Sequence, residues 1–237
     1  MEFLKAHWKH LLLANYKVDP ELISSRVPDQ TRLDIFEGKC FLSLVAFLFD
    51  NTRVLGIPVP FHRKFEEVNL RFYVVAEREP TRRAVTFVQE IVPKRVIPLI
   101  ANTLFHENYV ATRMSHRLQF DPNDQKQVNS VDYQWGQGLE NRIAARIQRS
   151  LELPLTGSVS EFITEHYWGY ANGPGGTLEY RVKHPKWVGC VIDDYDIEVD
   201  FERVYGPSFG FLKDLKPENV IYAQGSPVSV SFPSRLR

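Results

Sequence analysis

The chain has 237 residues, of which 43% are hydrophobic, 13% aromatic and 24% charged, a composition that excludes a disordered or low-complexity protein. Lys plus Arg and Asp plus Glu number 29 each, for a formal net charge of +0, so the basic excess that nucleic-acid binders use against phosphates is missing. A membrane-spanning helix needs about 20 successive apolar residues, and the longest such run, Cys40 to Phe49, falls far short.

Met1-Glu2-Phe3-Leu4-Lys5 carries no basic region followed by an apolar run, so no secretory signal is expected. Asp19-Pro20-Glu21 predicts a helix start that runs out before Pro28. Thr31 to Phe36 and Cys40 to Phe49 read as a hairpin across Glu37-Gly38-Lys39, followed by a proline-containing loop from Leu55 to Phe61. Val68 to Val75 is the clearest strand: Glu67, Asn69, Arg71 and Tyr73 are polar, whereas Val68, Leu70, Phe72 and Val74 are apolar. Ala84 to Ile91 continues as a strand. After Pro93, the residues Val96, Ile97, Ile100, Ala101 and Leu104 have helical spacing, with Pro98 expected to kink the helix.

Tyr109 to Phe120 and Val128 to Trp135 are expected to pair across the Asp121-Pro122-Asn123-Asp124 turn, whereas Asn141 to Ser150 fits helix or strand. Ser158-Val159-Ser160-Glu161 is a capping box that opens a helix through about His166. Beyond the Asn172-Gly173-Pro174-Gly175-Gly176 turn, strands are predicted at Leu178 to Val182, Val188 to Ile192 and near Val220 to Phe232. The last of these is expected to pair with earlier strands and close the sheet. Without repeats or linkers, the expectation is a single α+β domain over residues 1–237, mainly antiparallel β.

The common catalytic signatures are missing, including the P-loop, the dinucleotide fingerprint and the Gly-x-Ser-x-Gly elbow. Neither His7 with His10 nor Glu165-His166 has zinc-ligand spacing, so no metal and no cofactor is expected. Cys40 and Cys190 match no metal or redox pattern and read as small core residues in a reducing cytoplasm. The Glu67, Asn69, Arg71, Tyr73 row is more informative, because strand geometry puts all four side chains on one face. That face is the wet side of an open sheet, a buried ion network, or the lining of a cavity. In a cavity, Glu67 and Arg71 would pair and Arg71 could also grip a carboxylate.

Several blocks carry a family resemblance: His10 to Tyr16, Leu33-Asp34-Ile35-Phe36-Glu37-Gly38, Phe65 to Val74 with its Glu-x-Asn-x-Arg-x-Tyr core, and Tyr109 to Met114. Phe162 to Tyr170 and His184-Pro185-Lys186-Trp187 extend the series. In this order they resemble the bacterial YqjF-like family of unknown function. The resemblance implies an acetoacetate decarboxylase-like fold, with a bent antiparallel sheet closing into a cone or barrel and helices outside. In the decarboxylases a lysine after a Phe-Gly-x-Pro-like turn forms a Schiff base, and a second lysine beside it lowers its pKa. The matching stretch here, Phe105-His106-Glu107-Asn108-Tyr109-Val110, puts Tyr109 and Val110 at those positions. A phenol forms no iminium, so that chemistry does not carry over. Lys94, the nearest lysine, is expected to be solvated.

Three functions stay open on these residues. One is a pocket for a small organic acid, with Asn69, Arg71, Tyr73 and Arg113 as binding residues. The second is a lyase or hydrolase acting on a keto or carboxylic acid, with Glu67 and Tyr109 as catalytic acid or base and Arg71 as the carboxylate clamp. The third is a structural or partner-binding protein whose polar row is only an ion network. Glu165 and Tyr167 would belong either to packing or to the cavity mouth, and His184 to a turn.

Overall fold

A computed structural model describes residues 2–236. In chain order the first strands are β1 (Glu2–Val18), β2 (Thr31–Leu33), β3 (Cys40–Val54), β4 (Ile57–Pro58), β5 (Phe65–Ala76), β6 (Arg83–Val92), β7 (Tyr109–Ala111) and β8 (Met114–Phe120). They are followed by β9 (Val128–Trp135), β10 (Asn141–Arg146), β11 (Trp168–Gly173), β12 (Gly176–Lys183), β13 (Gly189–Ile192), β14 (Tyr195–Glu198), β15 (Asn219–Ser231) and β16 (Ser234–Arg235). The helices are short: α1 (Glu21–Ser24), α2 (Val96–Leu104), α3 (Val159–Thr164) and α4 (Phe201–Tyr205), which leads into a 3-10 turn over Pro207–Asp214. None is long and apolar enough to cross a membrane.

The large sheet closes on itself. Its path runs β15-β1-β3-β5-β6-β11-β12, and β12 returns to β15 through Val182 opposite Val230 and Lys183 opposite Ser229. The neighbours are antiparallel except β6 with β11 and, at the side, β6 with β7, which are parallel. A smaller antiparallel sheet, β14-β10-β9-β8, packs outside the ring. Leu12, Leu44, Leu70 and Phe72 from the ring share one core with Val131, Tyr133 and Ile143 from the small sheet. A second core lies on the other face of the same ring strands, around Leu11, Leu13, Val45, Phe47 and Ile221. The central strands are therefore buried on both faces.

That double burial explains β1, which the sequence pattern did not announce. Leu11-Leu12-Leu13-Ala14 is a continuous apolar run without alternation, the pattern of a strand covered on both sides. Gly225 lets β15 close on β1: its φ is +86°, and a Cβ there would collide with the carbonyl of Trp8.

Two expectations are corrected and one open alternative is resolved. The Thr31 and Cys40 segments form no hairpin. β2 pairs with β5 instead, Thr31 opposite Ala76, and only the isolated bridge Phe36 to Lys39 spans the turn. Tyr109 to Phe120 is not one strand, because β7 stays on the ring while β8 joins the small sheet, with Thr112 and Arg113 crossing between them. Asn141 to Ser150 is a strand only as far as Arg146. The capping box forms a variant: Ser158 Oγ accepts from Glu161 N at 3.2 Å, while Glu161 Oε2 accepts from Gly157 N at 2.8 Å.

Candidate functional site

The alternation in β5 has two buried destinations. Val68, Leu70, Phe72 and Val74 face the core shared with the small sheet. Glu67, Asn69 and Arg71 face inward and line a cavity of ≈ 180 Å³ with walls that include Trp8, Phe47, Phe49 and Phe87. Tyr109 reaches the same cavity from β7. Among the described residues, none of those lining it is a lysine. Tyr73 lies one repeat too far along the strand. It is buried away from the cavity, with its hydroxyl 2.7 Å from Ser43 Oγ and its ring against His166. Arg113 sits in the crossing between the sheets, where its carbonyl accepts from Gly136 N, and it does not line the cavity. Glu165 and Tyr167 also stay outside and bond each other at 2.6 Å.

Two further glutamates join Glu67. Glu90 arrives by a β-bulge: in the β5–β6 register Leu70 faces Gln89 while Arg71 faces Phe87, so Val88 is an extra residue. The bulge reverses the alternation, so that Val85, Phe87 and Glu90 all line the cavity although their numbers change parity. Asn108 Nδ2 donates to the bulged carbonyl of Val88 at 2.9 Å. Glu107 follows the turn residue His106, whose φ is +53°, and accepts from the Tyr180 hydroxyl at 2.7 Å. Gly169 lies opposite Tyr180 in the β11–β12 pair, and a Cβ at Gly169 would overlap the Tyr180 ring. The missing side chain thus lets the tyrosine lie across β11 and reach Glu107.

The electrostatics of this group follow from burial. Loss of water pushes the Glu67 carboxyl up to about 7, against hydrogen bonds from Asn69 Nδ2 and the Tyr109 hydroxyl, both at 3.1 Å, and the charge of Arg71. Burial, opposed by the Tyr180 hydrogen bond and reinforced by Glu67, pushes Glu107 up to about 8. Glu90 is raised well above the ordinary range by burial and by the charges of Glu107 and Glu67. Glu107 and Tyr109 keep some accessible surface because the cavity itself borders them.

Arg71 does not pair with Glu67, which corrects the expectation of an ion pair. Glu67 takes its hydrogen bonds from Asn69 and Tyr109, while Arg71 Nε has no partner and the guanidinium carbon stands 5.7 Å from the Tyr73 ring centre. Arg71 is only 7% exposed.

His166 is a lining residue that the sequence signals did not pick out. Its Nε2 is 3.0 Å from Asp34 Oδ2, and Arg83 Nε donates to the same oxygen at 2.8 Å. Burial lowers the imidazole to about 4 despite the pull of Asp34, so the ring is neutral and its proton lies on Nε2 toward the carboxylate. Nδ1 is left without a partner. The pairing joins residues far apart in the chain, and only the fold brings them together. Among the described residues, no group of three or more His, Cys, Asp or Glu side chains is placed to hold a metal ion.

Residues 5–227 match the family DUF2071, described as an uncharacterized conserved protein (COG2071). The chain belongs to this family. Another similar protein is the uncharacterized protein YqjF of Bacillus subtilis (strain 168), 26% identical over 190 residues, which cover 78% of this chain and 74% of YqjF. Among solved structures, the DUF2071 chain is similar to the enduracididine biosynthesis enzyme MppR with HEPES bound, at a TM-score of 0.70 and 10% identity, covering 100% of this chain and 88% of that one. It is also similar to an acetoacetate decarboxylase-like enzyme from Sphingomonas wittichii RW1, at a TM-score of 0.67 and 12% identity, covering 100% and 94%. This DUF2071 protein therefore has the acetoacetate decarboxylase-like fold.

Proposed function

We propose that the ring interior binds a small organic acid, with Arg71 on its carboxylate. The observation that carries this reading is the buried Arg71, which forms no salt bridge with any carboxylate among the described residues and whose Nε has no partner. A buried charge without a partner costs several kcal/mol, and a ligand carboxylate would meet the planar guanidinium with paired hydrogen bonds. The surroundings support it. Trp8, Thr52, Asn69, Arg71, Glu90 and His166 each hold a buried polar atom without a partner, and all of them line the cavity. Buried polar atoms are normally satisfied, so such a concentration favours a ligand site over an ion network. The absence of lysine from the lining supports a site that works without a Schiff base.

Acid–base chemistry on the bound acid is a second reading, favoured by Glu67. A carboxyl held at about 7, with the Tyr109 hydroxyl donating to it, can accept or release a proton at neutral pH. The reaction class would be a lyase or hydrolase, with Glu67 exchanging the proton and Tyr109 supplying a hydrogen bond to developing charge.

A melting screen against small carboxylates tests the first reading. MppR has been solved with pyruvate, so pyruvate heads the panel. The wild type should gain stability with at least one acid, because a ligand bound only to the folded state raises its melting point. Arg71→Lys should reduce the gain, since an ammonium lacks the fork, and Arg71→Met should remove it. If millimolar acids leave the wild type unmoved, the reading fails. For the second reading, an acid that binds both proteins should be consumed by the wild type and not by Glu67→Gln.

A further inference from the structure

About a third of the residues that line the cavity are Phe, Tyr or Trp, against 13% of the whole chain. β3 puts Phe47 and Phe49 on its inner face, two residues apart. Its neighbours set Trp8 of β1 and Phe65 of β5 directly opposite Phe49. All four line the cavity, and their rings form a continuous series. The Phe65 and Phe49 centres are 4.5 Å apart and the rings nearly parallel; Phe47 stands 5.3 Å from Phe49, and Trp8 meets Phe47 edge to face at 5.1 Å. On the other side of β5, the ladder sets Phe87 directly opposite Arg71, and both line the cavity. Residues paired this way carry their Cβ atoms roughly 5 Å apart on one face. Every side chain that α2 adds to the lining is apolar.

We infer that the organic acid whose carboxylate Arg71 holds is an aryl acid, a single ring on a short acid arm. The inference rests on the organic-acid reading and narrows its ligand class. Size sets one limit. An apolar cavity of roughly 150 Å³ takes one benzene ring, so ≈ 180 Å³ holds a ring with a short arm and no second ring. The lining sets the other. Water gains few hydrogen bonds against rings, and an apolar group that displaces such water gains affinity. A ligand ring can also meet Phe and Trp in offset or edge-to-face contacts that an alkyl chain cannot make. The lining glutamates do not oppose an apolar occupant. Burial pushes Glu107 up to about 8 and Glu90 well above the ordinary range, so both hold their protons at neutral pH. Phe87 ties the ring to the acid, because it flanks Arg71 on the same face and is itself not fully buried.

Titration calorimetry of the wild-type chain with phenylacetate, hexanoate, acetate and phenylacetamide separates the possibilities. Phenylacetate should bind at least about tenfold more tightly than acetate, the scale of burying one large apolar group. It should also bind at least about threefold more tightly than hexanoate, the scale of one aromatic pair. In Phe87→Leu, which keeps an apolar group and removes the ring, the preference over hexanoate should disappear. Should that variant not fold, Phe47→Leu serves in its place, and the wild-type ratios need no variant. A preference unchanged in the variant overturns the seat at Phe87. Acetate or hexanoate binding as tightly as phenylacetate overturns the aryl class and leaves the organic-acid reading intact. If the neutral phenylacetamide binds as tightly as phenylacetate, the ring subsite stands and the Arg71 reading falls. If none of the four binds at millimolar concentration, both are overturned.

Discussion

At the level of single residues, Arg71 and Glu67 share a strand face and a cavity without sharing a bond. This has an energetic consequence that can be measured. Breaking a buried ion pair costs about 3–5 kcal/mol, but Arg71 has no such pair to break. Arg71→Met should therefore leave the unliganded protein as stable as the wild type or more so, within about 1 kcal/mol or on the stabilising side, by urea unfolding. A loss on the scale of a broken pair would show that Glu67 neutralises Arg71 in solution. Glu67 and Glu107 make a second prediction. Their folded-state values, about 7 and about 8, lie above the ordinary 4.5. Between those limits the unfolded chain has released protons that the folded chain still holds, so the contribution of these two carboxyls falls as pH rises from about 5 to 8; below about 6.5 it is opposed by His10, His166 and His184, each lowered by burial to about 4 and so charged there only in the unfolded chain. Each carboxyl contributes at most about 1.4 kcal/mol per pH unit of that window. Unfolding curves between about pH 6.5 and 8 should show the decline, and Glu67→Gln or Glu107→Gln should flatten it.

At the level of elements, the decisive parts are the ones that break a pattern. Gly169 leaves room for Tyr180 to lie across β11, and this carries the hydroxyl to Glu107. Gly169→Ala forces the ring aside, so it should cost about 1–3 kcal/mol, the usual range for overpacking. In Tyr180→Phe the same substitution should still cost the packing but no longer the hydrogen bond. A double-mutant cycle by chemical unfolding resolves the two parts, and additivity would mean that Gly169 does not position the hydroxyl. The bulge at Val88 shows why the site was only half legible beforehand. Glu67, Asn69 and Arg71 follow from the plain two-residue alternation of β5, and Tyr109 from its family block. Glu90 cannot be found that way, because the inserted residue moves it to the face opposite the one that simple alternation from Ala84 predicts. Glu107 depends on a turn with a left-handed residue, and Asp34 with His166 on two segments that only the fold joins. Tyr73 and Arg113 mark the converse limit: a shared face does not bound a cavity's length, and a continuous β-rich segment can hide a crossing between sheets.

For the whole molecule, the ring is unevenly sewn. β1 pairs along nearly its full length with both β3 and β15, whereas among the described residues the β11–β6 ladder holds only Trp168 and Gly169, and the β12–β15 ladder only Val182 and Lys183. The β11–β12 hairpin is thus held to the rest of the ring by little backbone pairing, although it supplies Tyr180 and Trp168 to the cavity wall. Amide hydrogen exchange should show this hairpin opening at lower free energy than β1, β3 and β15, and cavity ligands should slow it. Uniform protection around the ring would refute the uneven seam as a weak point.

The long seam between β1 and β15 also orders events in time. Leu4 pairs with Val230 and Trp8 with Ser226, so β1 waits for a strand made much later in the chain. On the ribosome β1 can pair with β3 early, but its other edge stays open until β15 has emerged. An unpaired, apolar strand edge is a template for sticking to other chains. Final closure therefore waits for β15, and conditions that slow it should send newly made protein toward aggregates well before they affect molecules already folded.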